Sequence, residues 1–418
     1  MTPARPLPPT WLMGFGFLPL GVSGAILLIT VPQLLAANHV PEQQIASITA
    51  AGLFPSFGGF ILSPLLDWRF SRRSYALAFN LIGAVCAFAA LLAIRNLPLL
   101  TALLIVGQLA IALQVFAVGG WFGNLIETSR KGALGAWFNV ANAASFGVAA
   151  AIAITLLRDL PYALGAALLS GCVLLALPLY WIVPCPPANS RLASESFRDF
   201  SRDIVALLKR PTVLWTLFIF LLPVASFALT NTLGGLGRDF HTSEALVGLI
   251  GGMGTSIAGV LGSLLMPRLG AWIAPRTLYL LVGCVGGLFT LALATQAHDP
   301  MTFSVAVLAE NFFQGAAFSV QFAIILRAIG HDNPLAATQF GLLNAAASLP
   351  LIYMQLIDGN AYALLGGVNG SYLADGAISI AFCALVGAVL WSFRASIARG
   401  DRDAESRPAS PNAALEVG

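Results

Sequence analysis

Glu310, Gln314 and Gln321 stand at i, i+4 and i+11 within one long apolar run. On an ideal helix that spacing places all three within roughly 40° of one another. Ala317 lies between them and leaves a shallow polar groove. A carboxylate beside two amides can exchange a proton and can hold a solute through hydrogen bonds. The next apolar run repeats the pattern with Asn344, Ser348 and Gln355. Gln108 and Gln114, then Asn139 and Asn142, add amides in the first half of the chain. In hydrocarbon a charged side chain costs on the order of 3 kcal/mol. Glu310 is therefore expected to face a wet cavity or to carry a proton, and proton coupling is the chemistry it suits. A neutral Glu310 that ties two helices together is the alternative. Each amide has the same two readings, solute binding or a helix-joining bond of about 0.6 kcal/mol. Of the 18 acidic residues, the apolar runs leave Glu310 alone inside; the rest map to connections and tails.

Other chemistries lack their residues. His39, His241, His298 and His331 all map to connections, so no histidine–carboxylate pair lies in an apolar run. No HExxH, GxSxG, P-loop or Asp-rich motif occurs, which argues against a membrane-embedded enzyme and against an ATP-driven pump. Cys86, Cys172, Cys185, Cys284 and Cys383 show no metal-like spacing and read as small buried hydrophobes. No metal and no cofactor is expected.

The elements that must position these polar residues are set by composition. Of 418 residues, 58% are hydrophobic and only 9% charged. A soluble protein carries about 25% charged residues, so a soluble enzyme is excluded. A net charge of +3 without a basic stripe excludes nucleic-acid binding as a main role. A membrane-spanning helix needs ~20 apolar residues. The chain divides into twelve such runs, and their length without alternation excludes strands. The first six are Trp11–Leu35, Ile45–Leu66, Ser74–Ile94, Leu99–Val118, Gly132–Leu157 and Tyr162–Val183. The second six are Thr212–Leu233, Leu246–Met266, Thr277–Thr295, Met301–Leu326, Pro334–Ile357 and Gly376–Phe393. The fold class is thus an all-α integral membrane protein of twelve transmembrane helices in two six-helix halves.

Basic residues orient the bundle. With both termini cytoplasmic, all but three of the 21 Lys and Arg fall on the cytoplasmic side. The exceptions are Arg95, Arg158 and Arg238, and no cation sits deep in a run. The expected organisation is an N-terminal half over 1–184, a cytoplasmic linker over 185–211, a C-terminal half over 212–395 and a disordered cytoplasmic tail over 396–418. Within the linker, Phe197, Phe200, Ile204 and Leu207 share a helical face, which predicts an amphipathic helix on the membrane surface. Ser63 to Arg69 and Ser263 to Arg268 repeat weakly at a distance of 200 residues, as a duplicated six-helix unit would. In such proteins the solute site lies between the halves near the bilayer midplane.

Small and special residues are patterned too. Gly248, Gly252 and Ser256, and Gly283 and Gly287, predict close helix packing. Pro19 and Pro223 fall at comparable positions of the first and seventh runs. They predict either simple kinks or breaks that free backbone groups for a solute.

The six-plus-six plan resembles the major facilitator superfamily. The connection from Asp67 through Arg69 to Arg72 and Arg73 resembles that superfamily's Asp-Arg-x-Gly-Arg-Arg gating loop, without its glycine and with a one-residue change of spacing. A narrower resemblance runs from about Trp11 to Phe393. It rests on Ser63-Pro64-Leu65-Leu66-Asp67, Glu310-Asn311-Phe312-x-x-Gly315 and Ala337-Thr338-Gln339-Phe340-x-Leu342-Leu343. These segments are similar to the peptide/acetyl-CoA transporter family, which includes muropeptide permeases and single-unit siderophore permeases. The resemblance implies alternating-access transport of a small-molecule substrate across a bacterial cytoplasmic (inner) membrane, by a monomer, with protons as partners. The linker lacks the extra helix pair common in muropeptide permeases, which favours a siderophore. A missing midplane cation disfavours a polyanion such as acetyl-CoA. Phe312, Phe313, Phe318 and Phe322 could offer apolar contact to a partly aromatic solute, or simply pack. Muropeptide import, and export of drugs or siderophores, are the alternatives.

Overall fold

The computed structural model describes residues 6–186 and 197–393. The expected tail over 396–418 and residues 187–196 of the linker lie outside the described residues. Among the described residues every regular element is helical. Eleven helices are long and apolar enough to cross a membrane. The first six spans are Thr10–Ala37, Glu42–Asp67, Arg72–Leu92, Leu97–Leu125, Thr128–Asp159 and Tyr162–Ile182. The eighth to twelfth are Glu244–Leu269, Pro275–Leu293, Pro300–Ile329, Ala336–Leu364 and Val368–Ser392.

Local chemistry starts these helices. Ser71, Asn96, Ser243 and Asp299 each accept a hydrogen bond from the backbone N–H three residues on, at 3.2, 3.2, 3.4 and 2.7 Å. Such caps satisfy donors that the first turn leaves unpaired. Pro275 and Pro300 open their helices, where a missing N–H costs nothing.

The seventh span is broken. Its helix runs only from Pro211 to Leu221. Pro223 forces the residue before it out of helical geometry, and Leu222 is extended at φ −99°, ψ 147°. Phe227 then takes a left-handed conformation at φ 47° before two short 3₁₀ turns, Ala228–Asn231 and Leu233–Phe240. Pro19, by contrast, sits in the first turn of a helical stretch after a 3₁₀ turn at Phe15–Phe17, and the first span continues. The two prolines therefore act differently.

The linker helix forms at Phe197–Leu208, and its Ser201–Leu208 part meets Pro211–Leu221 at 67°. Leu207 is fully buried against the bundle, and Arg202 and Lys209 are exposed.

Two of the boundaries that differ from the hydropathy reading bear on the polar interior. The eleventh span, read as Pro334–Ile357, reaches Leu364; the twelfth, read from Gly376, begins at Val368. A carboxylate turned inward lowers local hydropathy without ending a helix. Asp358 and Asp375 lie inside these extensions, so Glu310 is not the lone carboxylate of the membrane interior.

The outer wall is apolar, as lipid as solvent requires. Leu81, Val85, Val148, Leu175, Leu249 and Leu261 are all exposed. Trp11, Trp181, Trp272 and Trp391 are exposed at the helix ends that carry the basic loops, an interfacial aromatic belt. An outer groove lined by Trp11, Phe15, Trp137, Val148 and Leu175 contains none of the candidate polar residues.

Candidate functional site

Polar groups gather in three places: inside the C-terminal half, at the boundary of the halves, and at the face of the basic loops. In the first, Glu310 is fully buried. Thr290 of the ninth span donates to its Oε1 at 2.5 Å. Asp358 of the eleventh span and Asp375 of the twelfth are 1% and 2% exposed. Both interact electrostatically with Glu310 and with each other. Glu310 Oε2, both Asp358 oxygens and Asp375 Oδ1 find no hydrogen-bond partner in the protein. Buried polar groups are otherwise nearly always paired. Glu310 thus faces the ninth, eleventh and twelfth spans, not an open cavity. Asp358, Asp375 and Thr290 were not legible as its neighbours, because the contacts cross three helices.

Gln314, one turn from Glu310, turns to the broken seventh span. Its Nε2 donates to Thr230 Oγ1 at 2.5 Å and to the Phe227 carbonyl at 3.3 Å. Phe313 stacks on Phe227 with ring centroids 5.9 Å apart. Gly283 of the ninth span lets the Val224 carbonyl approach, since an added Cβ would lie 2.0 Å from that oxygen. The tenth span therefore presents Glu310 to the carboxylates and, one turn on, Gln314 to the irregular backbone.

Aromatic rings seal the boundary of the halves. Phe17 and Phe138 from the N-terminal half stack at 3.9 Å between centroids. Phe322 and Phe340 from the C-terminal half stack at 6.2 Å. Phe17 meets Phe322 edge-on at 5.3 Å and Phe340 at 6.1 Å. Beside them Asn139 donates to Ser263 Oγ at 2.8 Å and to the Gly315 carbonyl at 3.2 Å. Gly315 packs on Gly259 so closely that a Cβ would lie 2.2 Å from that carbonyl. Phe322 is thus inside a plug, while Phe312 and Phe318 are half-buried.

At the basic face the halves lock. Asp67, buried at the end of the second span, accepts from Ala337 N at 3.2 Å, Thr338 N at 2.7 Å and Thr338 Oγ1 at 2.8 Å. The two backbone N–H groups are free donors at the start of the eleventh helix, where a carboxylate is favoured. Arg72 pairs with Asp67 at 2.8 Å and reaches the carbonyls of Asn333 and Pro334. Asn333 N donates to Asn124 Oδ1 at 2.7 Å, and Lys131, fully buried, donates to the Gly330 carbonyl at 2.8 Å. Gln339 bonds Asn333 and the Ala328 carbonyl. Arg69 and Arg73 lie instead over the rings of Trp68 and Trp181, each at 4.7 Å. Asp67 and Arg72 are brought into the lock, and Arg69 and Arg73 are not.

The remaining candidates separate by exposure. Gln108 donates to Ser23 Oγ at 2.8 Å, and Gln114 to Tyr180 Oη at 2.5 Å, both buried within the N-terminal half. Gln321 is 4% exposed. Asn142, Asn344 and Ser348 are half-buried, and Gln355 is exposed. Asn311 bonds back to the Val307 carbonyl. Asn124, Lys131 and Asn333 were missed by sequence reasoning, because they lie at run ends where polar residues are ordinary.

A family model described as Major Facilitator Superfamily matches residues 13–353. Among curated proteins none matches the chain. The E. coli fucose:proton symporter FucP superposes with TM-score 0.67 at 16% identity, over 90% of this chain and 98% of that one. The proton:xylose symporter XylE gives 0.68 at 15% identity, over 92% and 94%. A bacterial homologue of the iron transporter ferroportin in an outward-facing state gives 0.64 at 17% identity, over 92% and 99%. At these identities the likeness is one of fold.

Proposed function

Because the chain belongs to the major facilitator superfamily, we propose that it is a proton-driven secondary importer that moves a medium-sized organic solute by alternating access. It is a multi-pass membrane transporter and not an enzyme. The observation that carries the coupling is the fully buried Glu310 with Asp358 and Asp375 around it and four carboxylate oxygens unpaired. A structural brace would pair its acceptors, since each unmade bond is costly. Three clustered carboxylates cannot all stay ionised in this setting, so the site has a use for protons. The tenth helix joins it to the broken seventh span through Gln314 one turn away, so a charge change at Glu310 can shift the backbone that Gln314 holds.

The basic face is taken as cytoplasmic. The Asp67 lock and the phenylalanine plug then close the cytoplasmic side of a solute path. Asn142, Asn344, Ser348 and Gln355 are the amide and hydroxyl groups left accessible for solute. The described lysines and arginines lie at helix ends or in connections, which suits a weakly charged ligand. A ferric siderophore is the substrate that best fits this reading and the short linker.

The test is uptake of a radioiron-labelled phenolate siderophore into proteoliposomes under an imposed pH gradient. Wild type should accumulate the label against its gradient. Glu310→Gln should lose pH-driven accumulation and keep exchange of bound label. Accumulation at the wild-type level by Glu310→Gln, at equal protein, sinks the coupling. Uptake of a labelled muropeptide but not of the siderophore moves the substrate and leaves the coupling standing.

A further inference from the structure

We infer that Asp375, Asp358 and the Tyr362–Asp239 pair form a proton relay that links Glu310 to the face opposite the basic loops. This rests on the proton-coupled reading of Glu310. The groups that interact with Glu310 are Thr290 on the ninth span, Asp358 on the eleventh, and Tyr372 and Asp375 on the twelfth. None of them is a cation that would hold these carboxylates ionised. Asp358 in turn interacts with Asp375 and Glu310. Ser371 bonds the Asp358 backbone carbonyl at 2.9 Å and leaves its carboxylate free. The Tyr372 hydroxyl, on a fully buried side chain that interacts electrostatically with Glu310, also lacks a partner. Among the described residues no acidic, histidine or cysteine group is arranged to hold a metal ion. The occupant assigned here to the unpaired carboxylates and the free hydroxyl is a proton.

The route outward continues on the same helix. Tyr362 lies four residues beyond Asp358, on the same helical face. Its hydroxyl donates to Asp239 Oδ2 at 2.7 Å, and both residues are half-buried. Asp239 lies in the 3₁₀ turn Leu233–Phe240 that ends the broken seventh span. A proton taken from water at Asp239 passes to the Tyr362 hydroxyl oxygen as that hydroxyl releases its own proton to a water molecule entering between Tyr362 and Asp358, whose carboxylate oxygens bond no protein group. Asp358, Asp375 and Glu310 then accept it in turn. Each transfer neutralises one carboxylate and restores the charge of the one before it, so the three titrate as a set and not singly.

The test is stopped-flow infrared spectroscopy of the full-length detergent-solubilised protein after a pH jump. The carboxyl band of Glu310 is identified as the one lost in Glu310→Gln. Asp358→Asn and Asp375→Asn should slow its rise by about 10²-fold, the low end of what a positioned proton-transfer group contributes. Tyr362→Phe, at a half-exposed position that tolerates the change, should slow it less, and Asp358→Glu should restore the rate. A wild-type rate in Tyr362→Phe and in both Asn variants overturns the relay and leaves the coupling by Glu310 intact. Loss of the band on adding sodium at constant pH overturns it in favour of a cation site. Retained pH-driven uptake by Glu310→Gln instead removes the reading on which the relay rests.

Discussion

Asp67 and Thr338 meet across the boundary of the two halves, with Thr338 N and Oγ1 both donating to Oδ2 of Asp67. Asp67→Ala strands those donors and leaves Arg72 without its carboxylate. Breaking a buried charged contact costs roughly 3 kcal/mol. The variant should therefore favour opening at the basic face by on the order of 10²-fold. Spin labels at Arg69→Cys and His331→Cys, exposed positions on either side of the lock, would report it in a background without native cysteines. An unchanged distance distribution would show that the lock does not govern this equilibrium.

Gln314 braces the irregular backbone of the seventh span through Thr230 and the Phe227 carbonyl. A typical hydrogen bond contributes about 1 kcal/mol net. Gln314→Ala should speed amide exchange over residues 227–232 by roughly tenfold, since exchange follows local opening. Helices of the N-terminal half should keep their protection. Uniform loss throughout the chain would contradict a local role.

The phenylalanine plug predicts a coupling that single substitutions cannot show. Phe340→Ala removes a buried ring against which Gly119 is packed, at a cost of about 3–5 kcal/mol. Phe17→Ala should cost a similar amount. Because the rings touch, the double variant should lose less than the sum by about 0.5–1.5 kcal/mol. Strict additivity in thermal or denaturant unfolding would mean the halves are held elsewhere.

Orientation is testable in whole cells with a membrane-impermeant maleimide. Leu365 is 61% exposed, at the turn after the eleventh span. Leu365→Cys should label in intact cells, and His331→Cys only after permeabilisation. The reverse pattern would invert the bundle and with it the assignment of the lock to the cytoplasmic side.

Much of this is legible in the sequence. Hydropathy marks twelve runs because each helix meets lipid along one side, whatever it packs against on the other. The basic residues label one face because charged loops resist crossing the bilayer. Pro19 and Pro223 mark a kink or a break alike, and only the structure shows the break at Pro223. Glu310 stands out because few carboxylates tolerate a long apolar run. Asp358 and Asp375 did not stand out. Each sits near the end of a run, where hydropathy cannot distinguish a solvated loop from a helix whose one carboxylate points inward.

The sequence by itself determined the class of protein, the apolar runs that become its spans, and the helix that carries Glu310, Gln314 and Gln321. All of these depend on composition and spacing along a single element. The tertiary structure decided what those residues face. Glu310 joins two aspartates on other helices, Gln314 holds the broken span, and Gln108 and Gln114 are spent inside the N-terminal half. It also decided that Asp67 and Arg72, not Arg69 and Arg73, close the basic face against the start of the eleventh helix. The reason is that a helical wheel gives directions on one helix only. Which neighbour lies in each direction is set by how close-packed glycines such as Gly315 and Gly283 let the helices approach.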